Sequence, residues 1–211
     1  MQVACALYDE FTMLDIVGPF QVLSSVADME IVWVAEQAGP VSDHTRTGSL
    51  GAAASFEEVL RPDIVVIPGG LGTTKHLDGP VVEWVRAVHP TTTWTTSVCT
   101  GSLLLAAAGL LDGLAATSHW AALDTLGEMG AVPTLQRVVI DHQAHIATAA
   151  GVSAGIDMAL ELVIELQGRP AAEAAQLAIE YDPQPVIDAG SPLKAPPETV
   201  ELLRTLLGAA I

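Results

Sequence analysis

Cys99 stands in the run Thr93-Trp94-Thr95-Thr96-Ser97-Val98-Cys99-Thr100-Gly101-Ser102. The β-branched stretch before it reads as a buried strand, and Leu103-Leu104-Leu105-Ala106-Ala107-Ala108 after it reads as a helix packed on both sides. A cysteine on such a strand-to-helix turn is pushed out of the sheet, with Gly101 relieving the crowding. The helix N-terminus offers it unpaired N–H groups and a partial positive charge. The expectation is a thiol whose pKa is lowered to about 3.5–7.5, largely thiolate at neutral pH and therefore a nucleophile. The competing reading is a small buried residue, as free cysteines often are; the flanking Thr-Gly-Ser favours the nucleophile. Cys5, in the apolar run Val3-Ala4-Cys5-Ala6-Leu7, reads as core.

Other groups converge on the same chemistry. Asp15, in Met13-Leu14-Asp15-Ile16-Val17-Gly18-Pro19, is either a helix N-cap or a working carboxylate. Apolar surroundings and a neighbouring thiol would raise its pKa and let it exchange a proton with a reacting carbon or nitrogen. Gly69 and Gly70 make a tight turn or expose N–H groups to sulfur or to developing charge. Thr100 brings its own N–H and a hydroxyl that can cap the helix or hold Asp15. The N–H groups of Gly70 and Thr100 are the candidates for stabilising charge. His119, followed by Trp120, is either a base for the thiol or a hydrogen-bonded support, and the second is favoured. Asp141-His142-Gln143-Ala144-His145 has the look of a metal site but lies in a hairpin turn with no further ligands, so no metal is expected. Asp188-Ala189-Gly190-Ser191-Pro192 is a turn signature that can shape a pocket rim or a dimer contact.

These residues must be placed by a frame, and the frame is legible. Strand candidates at Gln2–Leu7, Ile31–Ala35, Ile64–Ile67 and before Cys99 alternate with helices opening near Pro19 and spanning about Pro80–Val88 and Leu103–Ala108. A helix around Trp120–Met129, a hairpin of Arg137–Asp141 with Ile146–Ala149, and helices at Ser153–Gln167, Ala171–Glu180 and Glu198–Leu207 complete the chain. Short apolar strands separated by helices predict an α/β fold with a mostly parallel sheet and helices on both faces. Ligands of such sheets bind beyond the carboxyl ends of the strands. Asp15, the Pro68-Gly69-Gly70 turn and Cys99 all fall at that edge.

The 211 residues suit one domain, and half of them are hydrophobic. With 25 acidic against 8 basic residues the formal net charge is −17, which repels nucleic acid. The bland consequence of that charge is solubility. No apolar run is long enough to span a membrane, and no signal peptide is visible. Two distant cysteines do not suggest a disulfide framework, so a reducing cytoplasm is expected.

Taken together, the chain resembles the ThiJ/PfpI superfamily over nearly its whole length. The resemblance rests on Leu14-Asp15-Ile16-Val17-Gly18-Pro19, Ile67-Pro68-Gly69-Gly70, Ser97-Val98-Cys99-Thr100-Gly101-Ser102-Leu103, Ala108-Gly109-Leu110-Leu111-Asp112-Gly113, Thr117-Ser118-His119-Trp120, Gly155-Ile156-Asp157 and Asp188-Ala189-Gly190-Ser191-Pro192. It implies a flavodoxin-like sandwich with a nucleophile-elbow cysteine, residues 1–211 forming a single class I glutamine amidotransferase-like domain, and a homodimer. It also implies Cys99 as nucleophile, Asp15 as acid/base partner and Thr100 as support, with Gly69, Gly70, His119 and Trp120 around the substrate. Thr100 stands where peptidase-like members carry histidine, and Asp15 takes the role glutamate has in many members. The first departure speaks against a protease or deglycase role. The second is as in the branch that hydrates isocyanides to N-substituted formamides, and the resemblance to that branch implies a covalent Cys99 thioimidate, no cofactor and a small-molecule substrate. Two alternatives remain open: another thiol chemistry of the glyoxalase type, or a redox- or ligand-sensing domain. The amidase-like domains of AraC-type regulators share the same motifs.

Overall fold

The computed structural model describes residues 1–207. In chain order the elements are β1 (Gln2–Ala6), α1 (Met13–Leu23), β2 (Glu30–Ala35), β3 (Gly39–Ser42), β4 (Ser49–Ala52), β5 (Ala54–Ser55), β6 (Ile64–Ile67) and α2 (Pro80–Val88). Then come β7 (Trp94–Val98), α3 (Gly101–Ala107), β8 (Ala115–Ala116), α4 (Leu123–Glu128), β9 (Val132–Pro133), β10 (Val138–Asp141) and β11 (Ile146–Ala149). Three helices end the described chain: α5 (Ala154–Gln167), α6 (Arg169–Ala178) and α7 (Pro197–Leu207).

Seven strands form one sheet in the order β10-β11-β7-β6-β1-β2-β5. All neighbours are parallel except β10, which runs antiparallel to β11 at one edge. The register sets Val3 beside Ile64, Val65 beside Thr95 and Thr96 beside Ala147. The central strands are apolar because both their faces are covered: every residue of Ile64–Ile67 is buried, as are Val3 to Leu7. Helices α1, α5 and α6 pack together, and α2 and α3, with α4 against α3, form the other group. Cys5 is a free, buried cysteine within β1, which fits its reading as core.

One expected boundary changes. The first helix opens at Met13 rather than near Pro19, so Pro19 lies inside it and Asp15 lies in its first turn. Proline is favoured at a helix start, which made Gly18-Pro19 look like one. Here Thr12 occupies the N-cap position, and the segment before Pro19 is already helical. The polar stretch around Ser42–Arg46 belongs to a small antiparallel hairpin, β3–β4, whose register pairs Ser42 with Ser49. Its Gly- and Ser-rich strands lack the apolar alternation by which a strand is recognised. Among the described residues no helix is long and apolar enough to cross a membrane.

Candidate active site

The site forms where the carboxyl ends of β1, β6 and β7 meet. Strand β7 ends at Val98, and Cys99 follows in the left-handed region at φ 58°. That conformation is uncommon for a residue with a side chain and persists only where the surroundings impose it. They do so from both sides. The Cys99 N–H lies 3.0 Å from the carbonyls of both Ala149 and Ala150. The Cys99 carbonyl accepts from the hydroxyls of Ser118 at 3.0 Å and Ser102 at 3.2 Å. Helix α3 can begin at once because residue 101 is glycine: a Cβ there would fall 2.5 Å from the Ile67 carbonyl.

Around the sulfur stand three groups: the backbone N–H of Thr100, the backbone N–H of Val152 and the carboxyl of Asp15. Burial pushes the thiol well up, the Asp15 charge pushes it further, and the two N–H groups pull it back only in part. The expected free thiolate is therefore corrected. The thiol is buried and has a carboxylate as neighbour, and both disfavour a second negative charge. Asp15 is fully buried, and burial raises its pKa to about 7, against the opposing pulls of the Gly69 N–H and the Cys99 thiol. This matches the expectation for the carboxyl. Its Oδ2 accepts the Gly69 N–H at 2.9 Å, whereas Oδ1 has no hydrogen-bond partner. Near neutrality the pair thus carries one proton more readily than none.

Gly69 and Gly70 are at the site, but not as expected. The Gly69 N–H is taken by Asp15, and the Gly70 N–H donates to the Thr100 hydroxyl at 3.0 Å. The Gly70 N–H is therefore turned away from the sulfur, and it is the N–H of Val152 that stands there beside that of Thr100. Gly69 is needed for close approach, since a Cβ would collide with the backbone nitrogen and hydroxyl of Thr100. The Thr100 hydroxyl neither caps α3 nor hydrogen-bonds to Asp15; it binds Gly70 and Thr73 instead.

A cavity of about 260 Å³ opens onto Cys99, walled by Thr12, His44, Gly70, Leu71, Thr100, His119, Val152 and Leu207. His119 is thus brought to the thiol. Its Nδ1 accepts the Ala121 N–H at 3.3 Å, and burial lowers its pKa, which keeps the ring neutral. Trp120 is not in this cavity. It lines an adjoining one with Gly190, Ser191 and Pro192, and Arg204 of α7 lies 5.8 Å over its ring. His142 and His145 both set their rings edge-on against Trp94, at 5.7 and 5.9 Å. A larger cavity of about 440 Å³ lies near Tyr8, Glu36 and His76, away from the thiol.

Val152 was invisible to sequence reasoning because the group it presents is a backbone N–H, which any residue type carries. Its φ of 39°, uncommon for a β-branched residue, accompanies the orientation of its N–H toward the sulfur. His44 and Leu207 come from a hairpin tip and a distant helix, so only the fold brings them near.

A parallel α/β sheet with a cysteine on a strained strand-to-helix turn, and a buried carboxyl beside it, defines the class. The chain belongs to the DJ-1/PfpI family, which matches residues 1–165. It is 39% identical over 205 residues to the isonitrile hydratase of Pseudomonas putida, covering 97% of this chain and 89% of that one. The crystal structure of a ThiJ/PfpI family protein from Pseudomonas syringae superposes with a TM-score of 0.92 at 36% identity, over 99% of this chain and 86% of that one. The HTH-type transcriptional regulator CdhR of Pseudomonas aeruginosa is 28% identical over 139 residues, 66% of this chain but 40% of that protein.

Proposed function

We propose that this chain is an isocyanide hydratase, adding water to an isocyanide to give an N-substituted formamide. The observation that carries the reading is the Cys99–Asp15 pair: a thiol and a carboxyl that titrates at about 7, with one carboxyl oxygen unengaged. The 39% identity to an isonitrile hydratase along nearly the whole of both chains supports it.

An isocyanide carbon is electrophilic toward sulfur and becomes basic once attacked. Asp15 as carboxylate takes the thiol proton while the sulfur bonds to that carbon, then delivers the proton to the same carbon. The product is a thioimidate, and Asp15 is again ionised. It next removes a proton from water as the oxygen bonds to the carbon, and passes that proton to nitrogen. The C–O bond closes to a carbonyl, the C–S bond breaks, and the hydroxyl proton returns through Asp15 to sulfur. One water is consumed and each group ends as it began. Splitting the reaction into two additions is what covalent catalysis supplies, and one carboxylate serves as base and acid by turns. The N–H groups of Thr100 and Val152 stabilise the sulfur as it gains charge. Each step uses Cys99, Asp15 and water, with no cofactor. Gly69 holds Asp15, and His119 and Leu71 bound the space for the isocyanide substituent.

The largely exposed Leu177, Val186, Ile187 and Leu193 support a homodimer as the working form. Two free cysteines support a reducing, cytoplasmic setting.

The deciding assay follows formamide formation from an aromatic isocyanide by absorbance, with Cys99→Ala alongside. Turnover by the wild type and none by the variant is expected. An active Cys99→Ala overturns the mechanism. Silence in both, with Cys99 still alkylated by iodoacetamide, replaces hydration by another electrophile or by sensing.

A further inference from the structure

Three buried hydroxyls meet behind the reacting pair. Tyr8, just past β1, Thr73, in the turn after Gly70, and Thr100, next to Cys99, are between 2% and 5% exposed. The Tyr8 hydroxyl donates to the Pro68 carbonyl at 2.9 Å and lies 3.0 Å from the Thr73 hydroxyl. Thr73 Oγ1 lies 2.8 Å from the Gly70 carbonyl and 2.8 Å from Thr100 Oγ1. Thr100 Oγ1 in turn accepts the Gly70 N–H.

The protons can be assigned. Each hydroxyl has one to give, and carbonyls only accept. Tyr8 gives its proton to Pro68, the sole carbonyl in its reach. The Gly70 carbonyl is 3.4 Å from Thr100 but 2.8 Å from Thr73, so Thr100 donates to Thr73. Thr73 then shares its proton between Gly70 and Tyr8. No member is left without a partner, the condition under which a buried polar cluster is rigid. The cluster grips residues 68 to 70 through the Pro68 carbonyl and both polar groups of Gly70. Between those anchors lies Gly69, whose N–H holds Asp15 Oδ2 and whose carbonyl accepts the Thr12 N–H at 2.8 Å.

We infer that Tyr8 and Thr73 are positioning residues of the reaction, fixing the Pro68–Gly70 turn so that Gly69 holds one Asp15 oxygen and leaves the other free beside Cys99. The inference rests on Cys99 and Asp15 being the reacting pair. It makes the two hydroxyls part of how the carboxyl is held, although neither touches the substrate.

The test uses Thr73→Val, which keeps the volume and removes the hydroxyl, with Thr73→Ser as the rescue and Tyr8→Phe as an independent variant. The readout is the pH dependence of Cys99 alkylation by iodoacetamide, in which the Asp15 carboxylate takes the thiol proton as sulfur bonds to carbon and iodide leaves, so that the rate rises as the pair loses its first proton; it requires no isocyanide. A loosened Gly69 N–H stabilises the carboxylate less, so the first proton leaves the pair at higher pH. The midpoint is expected to rise by about half a pH unit in Thr73→Val, and to return in Thr73→Ser. Tyr8→Phe is expected to move the midpoint the same way, and decides the matter if Thr73→Val does not fold. An unchanged midpoint in a folded variant, even one with a lower melting temperature, overturns the inference. A shifted midpoint in a protein without hydratase activity sustains it and removes the hydration reading alone.

Discussion

Replacing Asp15 by asparagine should make the protein more stable above neutral pH while ending its turnover. The carboxyl is fully buried, and its pKa rises from 3.8 to about 7 on folding. A group whose folded pKa is raised stabilises the fold below its unfolded pKa, and that advantage is lost as pH climbs through the folded value. Three pH units at 1.36 kcal/mol each set the full cost of ionising Asp15 in place at about 4 kcal/mol. Between about pH 5 and about pH 8 the loss integrates to about 2–3 kcal/mol. Asparagine keeps an oxygen for the Gly69 N–H and carries no charge, so its variant escapes this loss. The thiol stays protonated throughout the window in both proteins, because burial, the largest influence on it, is kept in Asp15→Asn. Urea denaturation of both proteins at the two pH values gives the comparison, and every other titrating group cancels in the difference. The wild type should lose about 2–3 kcal/mol relative to Asp15→Asn on going from the lower pH to the higher. Parallel behaviour of the two proteins would refute the reasoning, since it would mean that the carboxyl is ionised at no cost.

Three further outcomes follow from the same geometry. In the wild type, kcat/KM for hydration should fall on the acid side with a midpoint at about 7, as Asp15 loses its carboxylate; a flat profile down to about pH 5 contradicts its role as base. Gly101→Ala places a Cβ 2.5 Å from the Ile67 carbonyl, and should cost about 2–3 kcal/mol of stability by thermal or urea unfolding, because backbone and not a flexible side chain must yield. Leu71→Trp fills part of the cavity on Cys99, and should lower kcat/KM for a bulky isocyanide at least about tenfold more than for a methyl-sized one.

The placement of the thiol and its carboxyl was legible in the chain where residue type and local geometry decide it. Cys99 follows an apolar strand and precedes Thr-Gly-Ser, and that pattern alone predicts the turn that the φ of 58° displays. The alternation of apolar runs with helices likewise predicts the parallel sheet, and hence the edge that Asp15 shares with Cys99. What could not be read were quantities set by neighbours distant in sequence. The acidity of Cys99 depends on its burial and on the charge of Asp15, and both outweigh the turn. The direction of the Gly70 N–H depends on the Thr100 hydroxyl, thirty residues away. Pro19 misled because proline favours helix starts, whereas here the preceding turn is already helical. Trp120 sits next to His119 in sequence, yet His119 lines both the cavity on Cys99 and the adjoining one whereas Trp120 lines only the latter, since one residue's step at the start of a helical turn changes the direction of the side chain.

Helix α7 has no buried residue of its own, yet its Leu207 closes one wall over Cys99. Cys99 and Asp15, by contrast, sit at the end of β7 and on α1, within the residues 1–165 that match the family. One wall of the enclosure thus comes from an element apart from the strands and helix that carry Cys99 and Asp15, while the other walls belong to the same part of the chain as that pair. Because α7 buries no residue of its own, a change at Leu207 reshapes the space over Cys99 without entering the core that holds the thiol and its carboxyl. A redesign for a new substituent should begin at α7 and leave the sheet edge alone.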